Sequence, residues 1–151
     1  MESNERLSAP LVLEYPFTRT TGPVIGAFLT GLREKIVLGI KRKDGTVLVP
    51  PTEYDPQTSE ALTDMVEVAQ TGEVVTWTWV EEPRDQSPWD NPHALAMIKL
   101  DQADTPLLHA VLVDNPESLK TGTRVRIKWR EETEGHIKDI EGFLPIEGDD
   151  G

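Results

Sequence analysis

Residues 123–130 alternate without a break. Val125, Ile127 and Trp129 fall on one parity, and Arg124, Arg126, Lys128 and Arg130 on the other. A period of two belongs to a β-strand, here with one apolar and one charged face. A lone strand cannot bury that apolar face, so the chain must supply a sheet. The sequence from Gly72 onward offers the partners. Residues 73–80 set Trp77 and Trp79 on one face against Thr76 and Thr78 on the other. Residues 93–101 and 107–113 read as two strands joined by a polar loop, and 137–144 as a last one. Between the first two lies the loop 81–92, with Pro83, Pro88, Pro92 and Trp89. Five strands with one long loop fit a five-stranded Greek-key barrel of OB type, with a β-sandwich fragment as the alternative.

The first 70 residues read differently. In residues 1–21, Leu11, Val12, Leu13, Tyr15 and Phe17 cluster around Pro10 and Pro16, which discourage a helix. Such an apolar arm must pack on its own domain or on a partner subunit. Residues 22–34 are expected to be helical. Thr21 suits the N-cap and Pro23 the first turn. Val24, Ile25, Phe28, Leu29 and Leu32 form the apolar stripe, while Gly26 and Gly31 allow close approach. The period then changes. Residues 35–40 and 46–49 are β-rich, with Asp44-Gly45 between them as a hairpin signal, and Pro50-Pro51 ends the second strand. A turn-rich loop over 52–58 leads to a short strand near 64–68. The expected organisation is mainly β: an arm and helix over 1–34, a hairpin segment over 35–70, the barrel over 71–146 and an acidic tail over 147–151.

Charge and composition narrow the function. Against 15 Lys+Arg stand 27 Asp+Glu, a formal net charge of −12. Such a surface repels phosphate backbones and anionic lipid, so neither nucleic acid nor membrane is an expected partner. Cysteine is absent, which removes thiolate nucleophiles, disulfides and Cys-ligated metals. With no basic and apolar leader pattern at the N-terminus, the expected location is the cytoplasm. His93, His109 and His136 lie at spacings that match no metal motif and read as structural or surface histidines. The five serines include no nucleophile-elbow motif. Glu81-Glu82 and Glu131-Glu132 are adjacent, so on strands they would point to opposite faces, poor geometry for paired acid–base work. No catalytic residue is expected. The Arg124–Arg130 row could grip phosphates, or be a solvated strand face that discourages edge pairing. Its aromatic neighbour Trp129 faces away, unlike an aromatic-interleaved nucleic-acid surface. Trp77, Trp79 and Trp129 read as core, and Trp89 as an interface anchor.

Several short motifs fall in a particular order. Gly45 closes a turn, Thr46–Val49 is a strand, Pro50-Pro51 follows, and Asp55-Pro56-Gln57-Thr58 comes next. Downstream stand Gly72-Glu73-Val74-Val75, then Ala96-Met97-Ile98-Lys99-Leu100-Asp101, then Leu119-Lys120-Thr121-Gly122-Thr123-Arg124-Val125. Over about residues 17–145 this resembles the domain of unknown function 35 (DUF35) family. That family has N-terminal helices, a rubredoxin-like zinc ribbon and an OB-fold associated with acyl-CoA. The resemblance sets Lys41, Asp44, Asp55 and Thr58 where the ribbon's four cysteines would stand. None is a thiolate, so a zinc-free ribbon is expected. A zinc-less subset is similar to the small partners of thiolase-like, lipid-transfer-protein-type aldolases, which cleave a steroid side-chain CoA by a retro-aldol step.

The resemblance thus implies a non-catalytic subunit of a hetero-oligomer. It also implies no covalently bound cofactor and no zinc, with acyl-CoA a possible substrate of the complex. The partner interface would include Leu13, Tyr15, Phe17, Phe28, Leu29, Tyr54 and Trp89, with Arg124 and Arg126 as contacts for coenzyme A. The competing readings are an acyl-CoA-binding partner of another thiolase or acyltransferase, a free-standing nucleic-acid-binding OB domain, and a small independent enzyme.

Overall fold

The structure, a computed structural model, describes residues 21–146. The arm with Leu13, Tyr15 and Phe17, and the acidic tail, lie outside the described residues. The first element is α1 (Gly22–Arg33). Val24, Phe28 and Leu32 of the expected stripe are buried, and Ile25 and Leu29 half-buried. Pro23 occupies the first turn, where a missing N–H leaves no gap in the helix. Thr21 precedes it in helical conformation and makes no side-chain cap, so the expected hydroxyl cap does not form.

The C-terminal end of α1 closes with Ile36 N–H donating to Gly31 O and Lys35 N–H to Leu32 O. Lys35 takes the left-handed position of this cap at φ 61°. The cap uses up residues 35 and 36. The strand expected from residue 35 therefore begins two residues later, as β1 (Val37–Lys41).

β1 pairs antiparallel with β2 (Val47–Leu48) on one side and β3 (Asp64–Val68) on the other. The hairpin turn falls at Asp44-Gly45 as expected, with Gly45 at φ 92° and Arg42 N–H bonded to Thr46 O. Both faces of this small sheet are covered. Val37, Val47, Val49 and Val68 join the main core, while Ile40 and Leu48 pack with Val24 and Leu62 on the reverse. The small sheet lies between two apolar layers.

The rest of the described residues build a closed barrel of β4 (Thr71–Val80), β5 (His93–Leu100), β6 (Leu107–Val111), β7 (Arg124–Trp129) and β8 (Ile140–Pro145). The strand order is β4-β5-β6-β8-β7, with β7 returning to β4. The alternation of residues 124–129 holds. Val125 and Ile127 are buried, Trp129 is half-buried against the core, and Arg124, Arg126 and Lys128 are exposed. Trp77 and Trp79 also pack on the core while remaining half-exposed. The strand expected over 137–144 starts at Ile140, because Ile137–Asp139 is a single 3-10 turn. The Asp139 carboxylate holds that turn, accepting from the N–H groups of Glu134, Gly135 and His136. Among the described residues no helix is long and apolar enough to cross a membrane.

One glycine is dictated by close approach. A Cβ on Gly72 would lie 2.4 Å from Lys99 O and 2.8 Å from Leu100 Cα, both backbone atoms of the neighbouring strand. Two outcomes follow, each measured by urea unfolding. Gly72→Ala should cost about 2 kcal/mol or more, because backbone must move to admit the methyl group. Ile127→Asp should cost about 4 kcal/mol or more through an unpaired buried carboxylate, while Arg126→Glu should stay within about 0.5 kcal/mol.

Candidate functional site

The basic row lies on the outer face of β7, and half of it is engaged by the chain's own carboxylates. Arg124 forks onto both oxygens of Asp101, and Lys128 pairs with Glu141 at 2.9 Å. Asp101 is held below the usual carboxylate range, first by the Arg124 hydrogen bond. Arg126 and Arg130 have no ion pair among the described residues. Arg126 borders an open depression with Leu112, Asp114, Ser118 and Leu144. Of the two residues expected to contact coenzyme A, Arg126 is thus the one whose guanidinium has no ion pair among the described residues.

A smaller cavity, about 240 Å³, opens beneath the loop between β4 and β5. Pro88, Trp89, His109, Arg130, Lys138 and Ile140 are among its lining residues. Trp89 is half-buried and meets the His93 ring edge to face at 6.1 Å, so much of its indole is already covered by this chain. His93 is fully buried; its Nδ1 faces Asn91 O at 2.7 Å and its Nε2 has no hydrogen-bond partner. His109 is buried too. Its Nδ1 accepts from Ala110 N–H, and its ring meets Phe143 edge to face. Burial pushes the His109 pKa down to about 4, so the ring is neutral at pH 7. His136 caps the 3-10 turn through Nδ1, which accepts from Lys138 N–H.

The four positions matched to zinc ligands do not form a donor set. Lys41 and Thr58 are exposed, and the carboxylates of Asp44 and Asp55 both accept from the Arg42 guanidinium. No group of three or more potential ligands comes together among the described residues. Zinc does not fit here, because a side-chain cation already holds the oxygens. Tyr54, expected at an interface, is 60% exposed. Phe28, expected there as well, is 3% exposed and belongs to the core. It lies on the buried side of α1 with Leu32, so the interface expectation for Phe28 is corrected. Leu29 is half-buried against the same core.

A further surface emerges on the outside of β4, β5 and β6. Thr76 and Thr78 on β4 oppose Met97 and Leu95 on β5, and Leu108 on β6 opposes Met97. With Trp77 these residues line a shallow depression without an ionisable side chain. Leu108 is 55% exposed, and Val75 at the adjoining bulge 43%.

A family model described as the ChsH2 C-terminal OB-fold domain matches residues 65–130. A DUF35 domain-containing scaffold protein of Pyrococcus furiosus is 30% identical over 100 residues, which cover 65% of this chain and 72% of that protein. The chain belongs to the DUF35 family. Two solved structures share the fold. One is described as an Ltp2-ChsH2(DUF35) aldolase; its matching chain has a TM-score of 0.61 at 20% identity, covering 84% of this chain and 98% of that one. The other is a DUF35-family protein of unknown function from Sulfolobus solfataricus, with a TM-score of 0.56 at 22% identity, covering 71% of this chain and 77% of that one.

Within this DUF35 chain, sequence reasoning missed the outer apolar face, the Arg42 contacts and the carboxylate nest at Asp139. The first had a signal. Residues 94–98, Ala-Leu-Ala-Met-Ile, are apolar at both parities, the pattern of a strand covered on both sides. The other two depend on which groups meet in space. The buried His109 also sets a pH response. Its folded pKa lies below the unfolded value of about 6.5, so the unfolded chain takes up the proton first. Its contribution is complete above pH 6.5 and fades as pH falls toward 4, a loss of about 3 kcal/mol. Urea unfolding from pH 7 to pH 4.5 should show that slope, and His109→Gln should flatten it.

Proposed function

We propose that this DUF35 chain is a non-catalytic OB-fold subunit that binds and stabilises a thiolase-fold aldolase acting on an acyl-CoA. The observation that carries this reading is the fold likeness to the chain of the Ltp2-ChsH2(DUF35) aldolase, which runs across nearly the whole of that chain. The scaffold description of the Pyrococcus furiosus relative supports it. So does the chemistry of three of the four buried ionisable groups: His109 is neutral, and Asp55 and Asp139 are occupied by donors. The sequence resemblance extends the reading to a steroid side-chain CoA and a retro-aldol cleavage, with the carbon–carbon chemistry on the partner. The partner's contact would include the uncharged face of Leu95, Met97 and Leu108. A net charge of −12 opposes covering that face with a second copy of this chain.

Co-expression with the thiolase-fold protein that co-purifies from native cells tests the proposal. A stable complex is expected, burying more than the ~1,600 Å² of a standard interface, with the partner's soluble yield and turnover falling without this chain. Leu108→Glu should weaken association at least about tenfold, the cost of burying an unpaired carboxylate, and leave this chain folded. His136→Ala should leave turnover of the complex unchanged. A thiolase-fold partner fully active alone, beside a chain that stays monomeric in its presence, would refute the reading.

A further inference from the structure

Arg42 leads from β1 into the hairpin turn, and its side chain is only 12% exposed. A guanidinium has five N–H donors. All five here have acceptors. Nε and Nη2 fork onto the two Asp55 oxygens at 2.9 and 3.1 Å, and Nη2 also donates to Gln57 Oε1 at 2.6 Å. Nη1 donates to Asp44 Oδ2 and Thr46 Oγ1, both at 3.2 Å. The acceptors come from two separate pieces of chain. Asp44 and Thr46 sit in the turn between β1 and β2, and Asp55 and Gln57 in the loop between β2 and β3.

The acceptors are organised in their own right. Asp55 is buried, and its Oδ1 also accepts from the Gln57 and Thr58 amides. Asp44 Oδ1 takes the amide and hydroxyl of Thr46. The Arg42 hydrogen bond, with the Gln57 amide behind it, holds the Asp55 carboxyl down to about 2, so the pair stays ionised at neutral pH. One cation thus sits among oxygen acceptors from two loops. A ribbon metal makes the same connection between two knuckles.

We infer that the Arg42 guanidinium is the cross-link of this ribbon, joining its two loops in the place a metal ion would take. The same contacts exclude zinc, since the Asp44 and Asp55 oxygens are engaged and a second cation would meet like charge. The planar fork is essential to the task. Lysine keeps the charge but is a compact point donor and cannot reach both sets of acceptors in one plane. The exposed pair of Lys43 and Glu60 spans the same two loops at 2.8 Å but is solvated and weak.

Amide hydrogen exchange on the full-length, chelator-treated chain at pH 7 tests the inference. Arg42→Gln and Arg42→Lys should each speed exchange at Gln57, Thr58 and Ser59 by about tenfold or more. The barrel amides of Ala110 and Ile127 should stay within about twofold, because the loosening is local. Added zinc or further chelator should leave the wild-type pattern unchanged. Three results would overturn the inference: ribbon amides of Arg42→Gln as protected as wild type, acceleration spread evenly over barrel and ribbon, or wild-type ribbon protection that disappears on chelation. If Arg42→Gln does not fold, Asp55→Asn removes the ion pair from the other side and is read by the same amides.

Discussion

Closing the barrel falls on Phe143. β6 and β8 run parallel and meet in a single register pair, Val111 with Phe143, continued by Leu112 N–H to Phe143 O. The other seams have three to eight paired positions each. So short a ladder gains little from backbone hydrogen bonds, each worth about 1 kcal/mol net. The seam is held instead by what its residues bury. Phe143, Val111, Ile140 and Val125 are all essentially inaccessible, and the His109 ring closes over the Phe143 edge. A charged imidazolium there would lose its water without gaining an ion pair, so the seam requires the neutral ring.

The helix and ribbon are bound into that same core. Phe28, Leu32, Val37, Val47, Val49 and Val68 form one apolar cluster with the barrel interior, across the boundaries read at residues 34 and 70. Polar stitches follow the same line. Asp104 accepts from Val47 N–H and donates its own N–H to Val47 O, and Thr105 Oγ1 both accepts from and donates to Val49. Gln70 accepts from Trp129 Nε1 and donates to Lys35 O, tying β7 to the end of α1. The short β2 therefore draws its order from the barrel loop beside it as well as from its two-residue pairing with β1.

What could be read from the sequence follows from how local its cause is. The alternation of β7, the hairpin at Asp44-Gly45 and the α1 stripe are each set by side chains within a few residues, and each appears in the structure. The start of β1 was displaced because Lys35 adopts a left-handed cap that only the helix end requires. The start of β8 was displaced because Asp139 gathers three amides into a turn. Phe28 looked available because a helical stripe does not say what covers it. Leu13, Tyr15 and Phe17 lie outside the described residues, whereas Tyr54 and Arg126 are exposed as the interface and phosphate readings need. The matched positions Asp44 and Asp55 drew attention to the ribbon, but the residue that joins them, Arg42, matches no ligand position. Its partners lie up to 15 residues away and converge only once the sheet has formed.

Three of the four polar side chains that the fold buries are made unreactive by their neighbours; the fourth, His93, keeps an unpartnered Nε2. Asp55 is bound by a guanidinium and two amides, Asp139 by three amides, and His109 has lost its basicity to burial. A general acid or base needs a proton it can exchange near pH 7, and none of these three can exchange one there. Outside, Arg124 and Lys128 are turned onto carboxylates of the same chain. Among the described residues the exposed groups without such a partner include the uncharged face around Leu108, the ring of Tyr54 and the guanidinium of Arg126. A surface of that kind recognises another molecule by shape, by apolar burial and by one or two charges. Such a surface suits the proposed subunit role, and the hydrogen-bonded carboxylates of Asp55 and Asp139 fix the loops beside it.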